Sequence, residues 1–347
     1  MARLPEATPL HRSVVAELLS TVRGQPTAVE ILRRALVSGR VHHAYLFDGP
    51  DGVGKERLAF ALAQALVCER RAPGSADACG ECRACLRAVP RPDQPTPSHP
   101  DVVVLERGLY DPAAIGRRSP EVQDISIDQV RTLVLAHAAF PPYEGRAKVT
   151  IVRRAEELSI AAANALLKVL EEPGSRTHFV LLSSAPQALL PTIRSRVQPI
   201  RFGPLPDLVV ADLLTEHGIE RSRATAIAPL AGGSMTSALL LSDPQASEQR
   251  EQFVSRALAA IEARNLGPAM DVAEEAKRVS KETMVAAIQA LAAAMAALGR
   301  SAAGAPDRRA EVASARYSLA VEAVRQIEAN AAVQLALEAM FAKMRSA

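Results

Sequence analysis

Two groups of residues in this chain have the types and spacing to bind something. The first is Cys68, Cys79, Cys82 and Cys85, which are all the cysteines the chain has. The last three form overlapping C-x-x-C steps that bend thiolates toward one point. Cys68, expected at a helix end, can supply the fourth ligand of a tetrahedral Zn²⁺ site. Disulfide pairing is one alternative, but a reducing compartment would not keep it. A catalytic C-x-x-C is another, but four thiols with none left over fit structural zinc better. A four-sulfur site has no open coordination position, so its role would be to hold structure rather than to catalyse.

The second group is Gly49-Pro50-Asp51-Gly52-Val53-Gly54-Lys55, entered by the apolar run Ala44-Tyr45-Leu46-Phe47 and left by Leu58 to Ala63. A buried strand, a glycine turn and then a helix make a phosphate loop. Glycines let successive backbone N–H groups curl around an anion, the helix points its positive end at it, and Lys55 can reach terminal phosphates. A working ATPase needs more. After the lysine it wants Ser or Thr, whose hydroxyl ligates Mg²⁺, and here stands Glu56. The next buried strand, Lys148 to Val152, should end in an acid pair that holds the metal and positions water. It ends in Arg153-Arg154. The expected metal ligands are therefore missing, and the loop reads as vestigial. Two further arginines, Arg194 and Arg196, follow a proline-bounded turn at Pro191; exposed arginines in such places most often only solvate a surface.

Elements able to position these residues follow from pattern and punctuation. The chain has 347 residues, enough for two or three domains. Hydrophobic residues make up 48% and aromatics only 3%, so the core must be aliphatic and the composition favours helices. With 41 Lys and Arg against 38 Asp and Glu, the net charge of +3 gives no bulk attraction to nucleic acid. Neither a signal peptide nor an apolar run of about 18 residues is evident, so a soluble cytoplasmic protein without membrane contact is expected.

Two short helices, over Ser13–Leu19 and Thr27–Val37, are expected before the first strand, and a helix from Lys55 to about Cys68 after the loop. Residues 86–120 are broken by prolines around one strand, Val102 to Leu105. A helix opens near Ile125, another spans Ile160 to Glu172, and a strand covers Phe179 to Leu182. This alternation describes a three-layer α/β domain up to residue 203. Gly203-Pro204-Leu205-Pro206 then reads as a hinge. A small helical lid would cover 204–243, and helices with apolar stripes, such as Met284, Ile288, Leu291, Met295 and Leu298, would fill 244–347.

Taken together, these segments resemble bacterial clamp-loader subunits of the AAA+ class. The resemblance is carried by His43-Ala44-Tyr45-Leu46-Phe47, the phosphate loop, the four cysteines, Asn164-Ala165-Leu166-Leu167-Lys168-Val169-Leu170-Glu171-Glu172-Pro173 and Ser195-Arg196-Val197. It covers roughly residues 20 to 240; the last hundred residues match only in being helical. It implies an α/β AAA+ P-loop domain over 1–203 with a zinc module at 68–85, a lid over 204–243 and an all-α collar-type oligomerisation domain over 244–347. It also implies structural Zn²⁺ on Cys68, Cys79, Cys82 and Cys85.

Two branches of the family share the zinc module, the gamma/tau motor and the non-hydrolysing delta-prime type. The motor has Thr or Ser after the lysine, an acid pair after the second strand and a sensor arginine after Gly-Ser-Met. Here those places hold Glu56, Arg153-Arg154 and Thr236, which points to the delta-prime branch. The family's Ser-Arg-Cys motif survives as Ser195-Arg196-Val197, so the resemblance gives Arg196 the role of an arginine finger acting on a neighbour's ATP, although Val197 replaces the cysteine. Partners implied are gamma/tau and delta subunits in a hetero-oligomer, the sliding clamp and primer-template DNA. Gly49, Gly52, Gly54 and Lys55 would hold ATP or ADP weakly. The competing readings are an active gamma/tau-type motor, disfavoured by Arg153-Arg154, and a zinc-dependent nucleic-acid-binding module, disfavoured by the lack of stacking aromatics and of a dense basic stripe.

Overall fold

Alternation along the strands decides the architecture. In the computed structural model, which describes residues 17–91, 93–119, 124–138, 140–144, 146–301, 308–328 and 331–346, five strands form one sheet. They are β1 (Ala44–Asp48), β2 (Val102–Leu105), β3 (Lys148–Val152), β4 (Thr177–Ser183) and β5 (Gln198–Arg201), in the order β2-β3-β4-β1-β5. All neighbouring strands run parallel. Side chains of successive strand residues point to opposite faces. Tyr45 and Phe47 accordingly join one core with Val102, Val104, Val149, Ile151, Val180 and Leu182. Ala44 and Leu46 join another with Leu105, Val152, Phe179 and Leu181. Both faces are covered, as parallel sheets require.

On the first face lie α1 (Pro26–Ser38) and α2 (Lys55–Val67). Pro26 takes the first turn of α1, where its missing N–H costs nothing, and Gly39 ends the helix in the left-handed region at φ 68°. The zinc-type cysteines belong to this face too, with α3 (Arg83–Arg87) between Cys82 and Ala88. The second face carries α4 (Ile160–Glu171), capped by the Ser159 side chain, and α5 (Pro191–Arg194). Leu166 and Leu170 of α4 are buried there.

Three local expectations change. The segment expected as a helix over Ser13–Leu19 shows a 3-10 turn at Leu19–Thr21; Ser13 to Ala16 lie outside the described residues. The helix opening near Ile125 starts at Ile127 and is π-wound over Val130–Leu135. Strand β5 was not anticipated, because only Ile200 of its residues is buried and Pro199 breaks the apolar pattern; both are marks of an edge strand.

The chain divides into two compact units, Met1–Leu205 and Pro206–Ala347. The second is helical, from Asp207–Glu216 to Val333–Ser346. Met284, Ile288, Leu291 and Met295 are buried in its core with Phe341 and Met344. The segment Thr283–Ser301 is long and apolar enough to cross a membrane. It is a correction to the expectation of no such run, but its apolar stripe is spent on this core. Thr236 lies exposed in the first turn of the helix Met235–Ser242.

Candidate functional site

Strand β1 delivers the glycine loop to the carboxyl end of the sheet, where ligands of parallel α/β folds bind. Gly52 and Gly54 adopt φ of 77° and 97°, conformations that favour glycine. Gly49 is needed for another reason: a Cβ there would meet the Phe202 carbonyl oxygen at 2.4 Å. Gln25 ties the loop to the end of β5, donating to the Val53 carbonyl at 3.2 Å and the Gly203 carbonyl at 2.7 Å. Lys55 is buried and folds back on its own loop, donating to the carbonyls of Gly49 and Pro50 and lying 3.5 Å from the Asp51 carboxylate. Burial holds its pKa below the usual lysine value, while Asp51 opposes that shift. In this state the lysine is used by the loop itself.

Glu56 and Arg153, which stand where metal ligands were expected, find each other. Arg153, just past β3, donates to Glu56 at 2.5 Å and to Glu106 at 2.7 Å, and its guanidinium stands 5.8 Å from the Phe60 ring centroid. Burial works against its charge, yet Glu56 and Glu106 outweigh burial and raise its pKa. Glu56, Arg153 and Glu106 therefore form an internal ion triad. Glu106 was not singled out from the sequence. It follows β2 as Arg153 follows β3, and the register Leu105↔Val152 sets the two side by side. Arg154 has φ 47° and lies 3.6 Å from Glu157.

The four cysteines come together as their spacing requires. All are free thiols, and their sulfurs lie within 4.8 Å of one another. Cys79 and Cys85 sulfurs are 3.9 Å apart and those of Cys82 and Cys85 3.4 Å, near the roughly 3.8 Å separation that tetrahedral ligands at about 2.3 Å from zinc would have. Backbone N–H groups of Cys79, Cys82 and Cys85 point at the sulfurs of Cys68, Cys79 and Cys82, at 3.3, 3.3 and 3.4 Å. Burial opposes the Cys79 thiolate, but the N–H groups of Glu81 and Cys82 outweigh it and bring its pKa to about 7. The donor set and its geometry fit one divalent ion of the zinc type. Fully buried Gln64 of α2 braces the module by donating to the Cys85 carbonyl at 2.8 Å.

Arg196 stands elsewhere. Its residue precedes β5, and Tyr45 pairs with Gln198, so it lies at the amino-terminal edge of the sheet. The phosphate loop leaves the opposite edge, a strand length of roughly 13 Å away at about 3.3 Å per residue. Arg196 lines an open basin with His42, His43, Leu170, Glu171 and Ser195. Its guanidinium pairs with Glu171 at 2.7 Å and donates to the Thr192 carbonyl at 2.9 Å. The structure thus does not bring Arg196 together with Lys55. Glu171 was quoted from the sequence only as part of a motif; nothing local announces it as the partner of Arg196.

Residues 24–206, more than half of the chain, match the family described as DNA polymerase III, delta subunit. The DNA polymerase III subunit delta' of Pseudomonas aeruginosa is 38% identical over 217 residues, which are 61% of this chain and 59% of that protein. The family match over residues 24–206 settles the family. This chain belongs to the delta-prime family of DNA polymerase III clamp-loader subunits. The subunit delta' of Bacillus subtilis is 29% identical over 230 residues, 66% of this chain and 63% of the relative. The gamma/tau subunit of Mycobacterium tuberculosis H37Rv is 34% identical over 205 residues, 59% of this chain but 32% of the longer protein. The match therefore spans about three fifths of the delta-prime relatives' length. A gamma subunit-related protein from Thermotoga maritima superposes with a TM-score of 0.46 at 20% identity over 91% of this chain and 98% of its own, too loosely to bear on the assignment.

Proposed function

We propose that this chain is a non-hydrolysing, AAA+ delta-prime subunit that helps load the sliding clamp onto primer-template DNA, working in the cytoplasm beside gamma/tau and delta subunits. The observation that carries the reading is the triad Glu56–Arg153–Glu106, in which the two substituted metal-ligand positions neutralise each other. Phosphoryl transfer depends on cations that offset charge building on the transferred group. Here the arginine's charge is already spent on two carboxylates, and the lysine's on loop carbonyls. ATP or ADP would be held weakly.

In the same reading Arg196 serves ATP held by an adjacent gamma/tau subunit, because it faces away from its own loop. A guanidinium can donate two parallel hydrogen bonds to phosphate oxygens. The pair with half-exposed Glu171 is of the kind worth at most about 1 kcal/mol, so it can hold the arginine ready and yield it to a phosphate. Cys68, Cys79, Cys82 and Cys85 would hold one structural Zn²⁺. The lid at 204–243 and an oligomerisation domain at 244–347 complete the proposed organisation.

The test is ATP hydrolysis by the purified chain alone and mixed with gamma/tau and delta. No turnover alone, and stimulated turnover in the mixture, is the expected result. Hydrolysis by the isolated chain that disappears with Lys55→Ala would instead make it a motor.

A further inference from the structure

Glu156 occupies the short turn Ala155–Glu157 that follows β3. Its Oε1 accepts from the backbone N–H of Ser184 at 3.2 Å and from the Ser184 hydroxyl at 2.9 Å. Its Oε2 is buried and has no hydrogen-bond partner among the described residues. Ser184 comes just after β4, the neighbour of β1 in the sheet. The Ser183 carbonyl accepts the Gly49 N–H at 3.2 Å, so Ser184 stands beside the first residue of the phosphate loop. Lys55 lies within electrostatic reach of Glu156, whose charge favours the protonated ammonium.

A terminal phosphate entering this crevice would lie between the Lys55 ammonium and donors at the end of β4. Glu156 already bonds the Ser184 donors and acts on Lys55 through its charge. We propose that Glu156 is a built-in occupant of the terminal-phosphate seat, which excludes a nucleoside triphosphate while leaving untouched the glycine amides that would serve inner phosphates. A carboxylate offers two acceptor oxygens and one negative charge, so it satisfies donors arranged for a phosphoryl group. It also repels an incoming γ-phosphate, which the Lys55 ammonium would otherwise attract, and so lowers its affinity by about tenfold or more. The inference rests on the loop of this chain and is independent of the role of Arg196 in a neighbour's site.

The experiment is calorimetric titration of ATP and of ADP into the full chain, wild type beside Glu156→Gln and Glu156→Ala, with Mg²⁺ and with EDTA. Glu156→Gln keeps an acceptor oxygen for Ser184, so it carries the test if a melting curve shows that the alanine variant is misfolded. The expected result is that loss of the charge tightens ATP by about tenfold or more and ADP by no more than about threefold. ATP affinity of the glutamine variant within about threefold of wild type, or ATP binding undetectable in both, would overturn the proposal, as would wild type binding ATP as tightly as ADP.

Discussion

At the scale of single residues, the charges of Glu56 and Arg153 are matched within the fold. Glu56 in a hydroxyl's place and Arg153 in a carboxylate's place would each be costly alone; facing each other they form a charge-assisted pair. The departure of Glu56 and Arg153 from a motor's pattern was legible in the sequence, since a pattern with a missing member needs no structure to be noticed. Their mutual contact was not, because the residues are 97 apart and only the register of β2, β3 and α2 makes them neighbours. The same holds for Glu171 and Arg196. Lys55 illustrates the consequence: its ammonium binds Gly49 and Pro50 carbonyls rather than waiting for phosphate. Replacing Lys55 by Ala should leave the DNA-stimulated turnover of the assembled loader within about twofold of wild type, whereas an ATPase that used this lysine would lose orders of magnitude. A steady-state ATPase assay decides it, and a large loss would show that the site is in use.

At the scale of elements, the cysteine module is held by its own backbone N–H groups and by Gln64, and it shares one core with α1 and α2. Structural zinc contributes on the order of 10 kcal/mol to small modules. Removing it by chelation, or replacing Cys79 by Ser, should unfold the segment from Cys68 to Ala88 while the parallel sheet survives. Metal analysis should find one zinc per chain before chelation, and hydrogen exchange should localise the loss of protection. Absence of zinc in protein purified without chelator would contradict the metal reading. The strands of this unit were legible as apolar runs, with the two-residue period sending Tyr45 and Phe47 to one core and Ala44 and Leu46 to the other. Strand β5 escaped because an edge strand with one buried residue leaves no periodic trace. The π-wound turns at Val130–Leu135 escaped because their apolar spacing is that of an ordinary helix at such short length.

At the scale of the whole molecule, buried His99 and half-buried His178 make stability depend on pH. Burial holds the imidazoles of His99 and His178 below their ordinary pKa. The unfolded chain takes up protons near pH 6.5 that the folded chain refuses until lower pH. Stability is therefore full above about pH 6.5 and falls as pH drops from there through the depressed folded values. The melting temperature should decline between about pH 7.5 and 5.5, and His178→Gln should flatten that decline if it folds; a flat profile for wild type would contradict the assignment of neutral buried rings. The central claim, a subunit silent in its own site and active in a neighbour's, is tested most directly at Arg196. The measurement is the DNA- and clamp-stimulated ATPase of the loader reconstituted with Arg196→Ala or Arg196→Lys, beside a melting curve of each free variant. Partial loss of turnover with both variants at an unchanged melting temperature is the predicted result, since only one neighbouring site would depend on this chain and a lysine cannot copy the planar fork. Full turnover and clamp loading by a well-folded Arg196→Ala variant would contradict the account.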